Sequence, residues 1–168
     1  HILWINHIYG KIMNNIYKFD FAVNEDILLL EYDKIKHTAK DYIDRRPGGQ
    51  ADGWKIIPAQ FHYAKYLINY FRLGEVRPRF YTLPKGANIP EHIDDETKCS
   101  INFLLETNNP APVTIEGVDY YYKTCLLNTQ KLHSVKNNSE DRLLFKLSIF
   151  DEDFETVKEK IKNANNRN

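Results

Sequence analysis

The sequence predicts a mainly β fold, a jelly-roll core of antiparallel strands with helices packed on one of its sheets. Three observations carry that expectation. From residue 75 onward the chain breaks into short β-branched and aromatic segments, separated by PKG, DDETK, TNNPAP and KNNSED, and a spacing of about ten residues is the rhythm of a sandwich or barrel. Before residue 75, two segments instead repeat their apolar residues at helical spacing. The composition, 42% hydrophobic and 13% aromatic over 168 residues, is that of a folded chain long enough for one domain and short for two.

Taken in order, Asn24 precedes EDILLLEYDKIKHTAKDYI, residues 25–43, where Ile27, Leu28, Leu30, Ile35, Ala39, Tyr42 and Ile43 recur as one helical face. Asn24 suits the N-cap, and Glu25 and Asp26 suit the first turn. RRPGGQADG, residues 45–53, breaks that helix with Pro and paired Gly. WKIIP, residues 54–58, reads as a short strand, and AQFHYAKYLINYFRL, residues 59–73, as a second amphipathic helix ending at Gly74. Strands are then expected at VRPRFYTL, NIPEHI, CSINFLLE, VTIEG, YYYKTCLLN, KLHSV and RLLFKLSIF. DEDFETVKEKIKNA reads as a terminal helix, and the polar end NANNRN should fray. The expected division of one domain is a mostly helical buttress over 1–74, the jelly-roll core over 75–151, and a terminal helix and tail over 152–168.

Charge and composition set aside several functions. Lys and Arg total 23, as do Asp and Glu, so the basic excess of a dedicated nucleic-acid domain is missing. No apolar run approaches the length of a membrane span. HILWINHIYGKIM lacks a basic n-region followed by a long apolar stretch, so it is expected to be the ordered start of a trimmed chain and not a signal peptide. Cys99 and Cys125 are expected to be reduced core thiols in a cytoplasmic protein.

The chemistry concentrates in IPEHIDDE, residues 89–96. If the strand continues through it, His92 and Asp94 leave the same face and Asp95 points away. That spacing alone does not choose between a solvated loop tip and a metal site. His133 lies in another candidate strand, and nine residues later Arg142 opens the last one. There Arg142, Leu144, Lys146 and Ser148 share a face opposite Leu143, Phe145, Leu147 and Ile149. Two imidazoles and one carboxylate are the ligand set of mononuclear non-haem iron(II) oxygenases, with positions left open. A keto acid can take two of these, and its far carboxylate then needs a fixed cation. Arginine suits that role through its planar fork, which makes Arg142 the candidate and Lys146 its competitor.

Within about residues 79–150, the pieces PKGANIPEH, LLETNN, LLNTQKLHSVKN and EDRLLF, in that order, resemble the aspartyl/asparaginyl β-hydroxylase family of Fe(II)/2-oxoglutarate-dependent dioxygenases. The resemblance implies a double-stranded β-helix, the cupin-like form of the jelly roll. It also implies hydroxylation of an amino-acid or peptidyl side-chain carbon, with release of succinate and carbon dioxide. His92, Asp94 and His133 become iron ligands, and Arg142 the partner of the 2-oxoglutarate C5 carboxylate. Tyr81, eleven residues before His92, becomes a second contact to that carboxylate. The family often carries an arginine and a histidine where this chain has Ser100 and Asn102. These two can hydrogen-bond the cosubstrate but neither is cationic. Asn128 lies just before the distal histidine.

Other readings stand beside this one. His133 alone would be a core histidine bonded to a carbonyl, Arg142 a partner of Asp141, Tyr81 a core residue, and Asn128 a turn residue. His1, His7, His37 and His62 have no partners in view. The run YYY, residues 120–122, reads equally as a substrate mouth or as an alternating strand with two wet rings. RRPGGQADG and TNNPAP are candidate lids or substrate contacts. A non-catalytic jelly-roll module binding a metal or ligand is the rival function, and a cupin-type isomerase or sugar-binding protein is a third. The expected partner is an amino acid or a peptide, with neither nucleic acid nor membrane indicated.

Overall fold

The computed structural model describes residues 14–42, 53–108 and 110–167. His1, His7, Ile43, all of RRPGGQADG except Gly53, and Asn109 of TNNPAP lie outside them.

Two antiparallel sheets face each other. Ile16–Lys18 (β1), Lys40–Asp41 (β2), Lys55–Pro58 (β3), Val76–Leu83 (β4), Cys99–Leu105 (β6), Thr124–Leu127 (β9) and Arg142–Ile149 (β11) form the larger, in the order β1-β9-β6-β11-β4-β3-β2. Asn88–His92 (β5), Val113–Ile115 (β7), Val118–Tyr120 (β8) and His133–Lys136 (β10) form the smaller, in the order β5-β10-β7-β8. This is a double-stranded β-helix, a cupin-like jelly roll, as the strand rhythm predicts.

Three helices, Glu25–Ile35 (α1), His62–Tyr70 (α2) and Phe154–Asn166 (α3), cover the outer face of the larger sheet. Leu28, Leu67, Val157 and Ile161 pack there with Ile57, Phe80, Ile101, Phe103, Phe145 and Leu147. The alternate residues of the same strands, among them Tyr81, Leu83, Leu104 and Leu127, turn inward and meet Val113, Ile115 and Val135 of the smaller sheet. Period-two alternation thus gives the larger sheet two different faces.

Several boundaries differ from the sequence expectation. Asn24 caps α1, its side chain accepting from Ile27 N, but the helix stops at Ile35. Lys36–Thr38 tightens into a 3-10 turn, with Thr38 Oγ1 donating to Ile35 O at 2.7 Å. The chain then extends into β2, which pairs with β3. α2 ends at Tyr70, short of Gly74, because Arg72 takes the left-handed position (φ 55°) and Leu73 N reaches back to Ile68 O. Gly74 serves packing instead, since a Cβ there would lie 2.2 Å from Asp151 Oδ2.

YYYKTCLLN holds two strand ends, not one strand. Tyr120 closes β8 in the smaller sheet and Thr124 opens β9 in the larger. VTIEG turns at Glu116 and Gly117, both with positive φ, and hairpins into β8. The first 74 residues supply β1, β2 and β3 as well as two helices. α3, capped by the Asp153 carboxylate on Thr156 N, runs through Asn166, so its helical part extends into NANNRN.

Candidate metal centre

β5 ends at His92, so Asp94 does not reach the site by strand alternation. A bulge at the β5–β10 pairing sets His133 opposite His92 but Val135 opposite Ile89. Beyond His92 the chain turns, and that turn is tied to the one before His133. Asp94 N donates to Thr129 O at 3.0 Å. Thr129 Oγ1 donates to Thr97 O at 2.8 Å, and Gln130 Nε2 donates to both Asp94 O and Thr97 O at 3.0 and 2.7 Å.

The result is a convergence of three side chains. Asp94 Oδ1 lies 3.3 Å from His92 Nε2 and 3.6 Å from His133 Nε2. The candidate ligand atoms of all three residues fall within 4.8 Å of one another. Each imidazole Nδ1 sits 2.7 Å from a carbonyl oxygen, Pro90 O for His92 and Lys131 O for His133. A carbonyl only accepts, so each Nδ1 carries the proton, and in the neutral ring Nε2 presents its lone pair inward. Burial pushes the His133 pKa down to about 4, with Asp94 opposing, so that ring is neutral near pH 7. Burial would raise the Asp94 pKa, but the His92 imidazole and the Lys146 ammonium outweigh it and hold it at about 2. Two imidazole lone pairs and a carboxylate facing one point repel one another unless a cation lies between them. A proton can serve one pair of these atoms; a divalent ion serves all three. The donor set therefore fits iron(II), with two nitrogens and one oxygen on one side of it.

The triad opens on a cavity of about 490 Å³ between the sheets. Asn137 fixes its far end, donating from Nδ2 to Leu83 O, Pro84 O and Glu140 O. This joins the β4–β5 turn to the β10–β11 turn. Leu83 pairs with Arg142, and Val76 with Ile149 at the other end of the same ladder. His92 and His133 therefore lie toward the Val76 end, and Arg142 lies at the end remote from them. Lys146 falls between, opposite Arg79 on β4 and Asn102 on β6.

Arg142 is buried, donating from Nη1 to Ala111 O at 2.8 Å and from Nη2 to the Tyr122 hydroxyl at 3.1 Å. Its remaining N–H groups are available to a carboxylate fork. Tyr81 lines the same cavity, with the Lys146 ammonium 5.3 Å from its ring centroid. Asn102 also lines it, whereas Ser100 lies behind, donating to Asn102 Oδ1 at 2.9 Å. Asn128 stands apart, bonding Asn14 O and Gln130 N in a turn. His37 and His62 lie on the helical side, and Cys99 and Cys125 are buried free thiols.

Sequence reasoning missed Tyr122, Arg79, Arg77 and Trp54, all of which line the cavity. Of the tyrosine run, only Tyr121 is wet, 59% exposed against 8% and 7% for Tyr120 and Tyr122. Arginines at alternate positions of a strand that also carries Tyr81 were the available signal, because alternation places Arg77, Arg79 and Tyr81 on one face.

Among the described residues no helix is long and apolar enough to cross a membrane. No protein-family profile matches the sequence, and no curated protein matches it. Solved structures do match in shape. A prolyl hydroxylase from Trichoplax adhaerens, in complex with a hypoxia inducible factor oxygen degradation domain peptide fragment, is 16% identical with a TM-score of 0.63. That match covers 86% of each chain. With a Pseudomonas putida prolyl-4-hydroxylase the identity is 15% and the TM-score 0.59, over 83% of this chain and 94% of that one. At such identities the likeness is one of fold, and the fold this chain shares is the one those two hydroxylases have.

Proposed function

We propose that the chain is a single-domain Fe(II)/2-oxoglutarate-dependent dioxygenase. It would hydroxylate an amino-acid or peptidyl side-chain carbon. The observation that carries this reading is the pairing of two features in one cavity. At one level two imidazole Nε2 atoms and the Asp94 carboxylate converge; at the remote end a buried Arg142 keeps donors to spare. His92, Asp94 and His133 hold the iron, and Arg142 holds the C5 carboxylate of 2-oxoglutarate. With both bound, the chemistry supplied is the reduction of dioxygen while the keto acid loses carbon dioxide to become succinate and a substrate carbon gains a hydroxyl.

The chain's own residues perform the positioning. Pro90 O and Lys131 O hold the two rings in the Nδ1–H tautomer, and Thr129 and Gln130 hold the turn that carries Asp94. Tyr122 and Ala111 fix the Arg142 guanidinium in one orientation. Tyr81 and Asn102 supply wall contacts to the cosubstrate, with Ser100 acting through Asn102. The order of the motifs favours the aspartyl/asparaginyl β-hydroxylase family as the closer kinship.

The test is an anaerobic titration of the protein with iron(II) and then 2-oxoglutarate, following the visible charge-transfer band of a chelated keto acid. A band that appears in the wild type and is lost in Asp94→Ala and His133→Ala supports the reading. Iron binding with no band points to the non-catalytic module instead.

A further inference from the structure

The cavity carries more positive charge than one dicarboxylate needs. Arg142 accounts for one end. Arg79 and Lys146 are left over, and they are direct cross-strand partners on the cavity-facing side of β4 and β11. Like charges directly opposite each other destabilise a sheet. Asp94 acts on Lys146 through space, but among the described residues no acid forms an ion pair with either cation. Among the described residues the Lys146 ammonium makes no hydrogen bond and no ion pair; its neighbour is the Tyr81 ring. Arg79 Nη1 makes one long bond, 3.4 Å to the Tyr81 hydroxyl. Arg79 Nε is one of only two buried side-chain polar atoms among the described residues without a partner, the other being Asn15 Oδ1. A buried donor or charge left unpaired is costly unless a ligand completes it.

The acids facing this pair do not complete it. Asp94 is the triad's own carboxylate, its Oδ1 lying 3.3 and 3.6 Å from the two imidazole Nε2 atoms. Asp95 and Glu96 line the cavity but are exposed to solvent. Arg142 and Lys146 sit four residues apart on one strand face, about 13 Å between Cα atoms. The two cationic places therefore lie at different depths of the cavity, and Lys146 is the nearer to the triad.

We propose that Lys146 and Arg79 form a carboxylate-binding subsite beside the triad, distinct from the Arg142 end. The assignment of its carboxylate rests on the dioxygenase reading. Two sources share that chemistry: the metal-chelating carboxylate of the keto acid, and a carboxylate on the molecule being oxidised.

Anaerobic titrations of the iron(II) protein with 2-oxoglutarate and with pyruvate, which lacks the distal carboxylate, separate the two. Arg142→Met should weaken 2-oxoglutarate alone. If the subsite holds the chelating carboxylate, Lys146→Gln and Arg79→Gln each weaken both keto acids by about tenfold or more, the scale of one lost charged hydrogen bond. If it holds a substrate carboxylate, both keto acids bind as in the wild type. Acetate then shifts the band of the wild-type 2-oxoglutarate complex saturably, and shifts neither variant. Lys146→Arg, which keeps the charge, should restore the response in either case. Wild-type keto-acid affinities together with a wild-type acetate response in both variants overturn the subsite. Failure of the wild type to take up iron would refute the dioxygenase reading but not the subsite, which then has a metal-free test. Millimolar acetate should raise the melting temperature of the metal-free wild type and not that of Lys146→Gln; equal shifts overturn the proposal.

Discussion

The two faces of β4, β6 and β11 are built from alternating residues of the same strands, yet they share almost no chemistry. Toward the helices stand Phe80, Phe103, Phe145, Ile101, Leu147 and Ile149, all buried in one apolar cluster. Toward the cavity stand Arg79, Tyr81, Asn102, Arg142 and Lys146. One face removes hydrocarbon from water and sustains the fold. The other carries charged and polar groups, among them Arg79, whose buried Nε has no partner among the described residues, a cost of the kind met at binding sites. The division teaches that stability and binding are assigned here by strand alternation, so single substitutions on the two faces should have separable effects.

The largest expected effect is on the cavity side. Asp94→Ala or His133→Ala should abolish substrate-dependent succinate formation and weaken iron binding by more than the roughly 10–100-fold typical of losing an outer-shell partner. Calorimetric metal titration and succinate assays check this, and turnover retained in both variants would break the assignment. Next, Phe145→Ala on the helix side should cost about 3–5 kcal/mol of stability by leaving a cavity among Phe61, Phe80 and Phe103. Below its lowered melting temperature the same variant should still bind 2-oxoglutarate with near wild-type affinity. A large affinity loss without a stability loss would contradict the division of labour.

Arg142→Met should raise the 2-oxoglutarate Kd by about 10–100-fold, from the loss of charged hydrogen bonds worth roughly 1.5–3 kcal/mol. Tyr122→Phe, which only loosens the guanidinium, should cost less, within about tenfold. The smallest effect belongs to the α3 cap. Asp153→Ala should lower stability by about 1 kcal/mol. The Thr156 backbone N–H holds the Asp153 pKa below its ordinary value. A depressed carboxylate stabilises the fold above the unfolded pKa, about 3.9, and that contribution is lost as pH falls through the folded value. Asp153→Asn should keep the cap while removing this part of the acid dependence of the melting temperature.

Much of the core was legible because β4, β6 and β11 alternate cleanly between bulky apolar and polar residues. The overrun of α1 has a definite cause: Ala39 and Tyr42 continue the helical period, but Tyr42 instead stacks on Trp54 with ring centroids 4.2 Å apart. β1 is three residues with no flanking turn signal, and only its pairing with β9 makes it a strand. That His92 and His133 converge, and that Arg142 faces the same cavity, was readable from spacing and motif order. Asp94 was reached by the wrong route, since a turn and not the pleat brings it in. Alternation could mark Arg79 only as one of two arginines on the Tyr81 face, because its opposition to Lys146 is a property of register between strands 67 residues apart in sequence.

That turn has a kinetic consequence. Asp94 lies past the last ladder residue of β5 and is fixed by bonds to Thr129 and Gln130. Swinging its carboxylate away from the two imidazoles breaks no strand pairing. An ion held at the triad would then have a way out by loop motion, without the far slower opening of the barrel. Gln130, spanning two carbonyls of the turn, would slow that departure. Its removal should shorten the residence of the ion more than it weakens the fold.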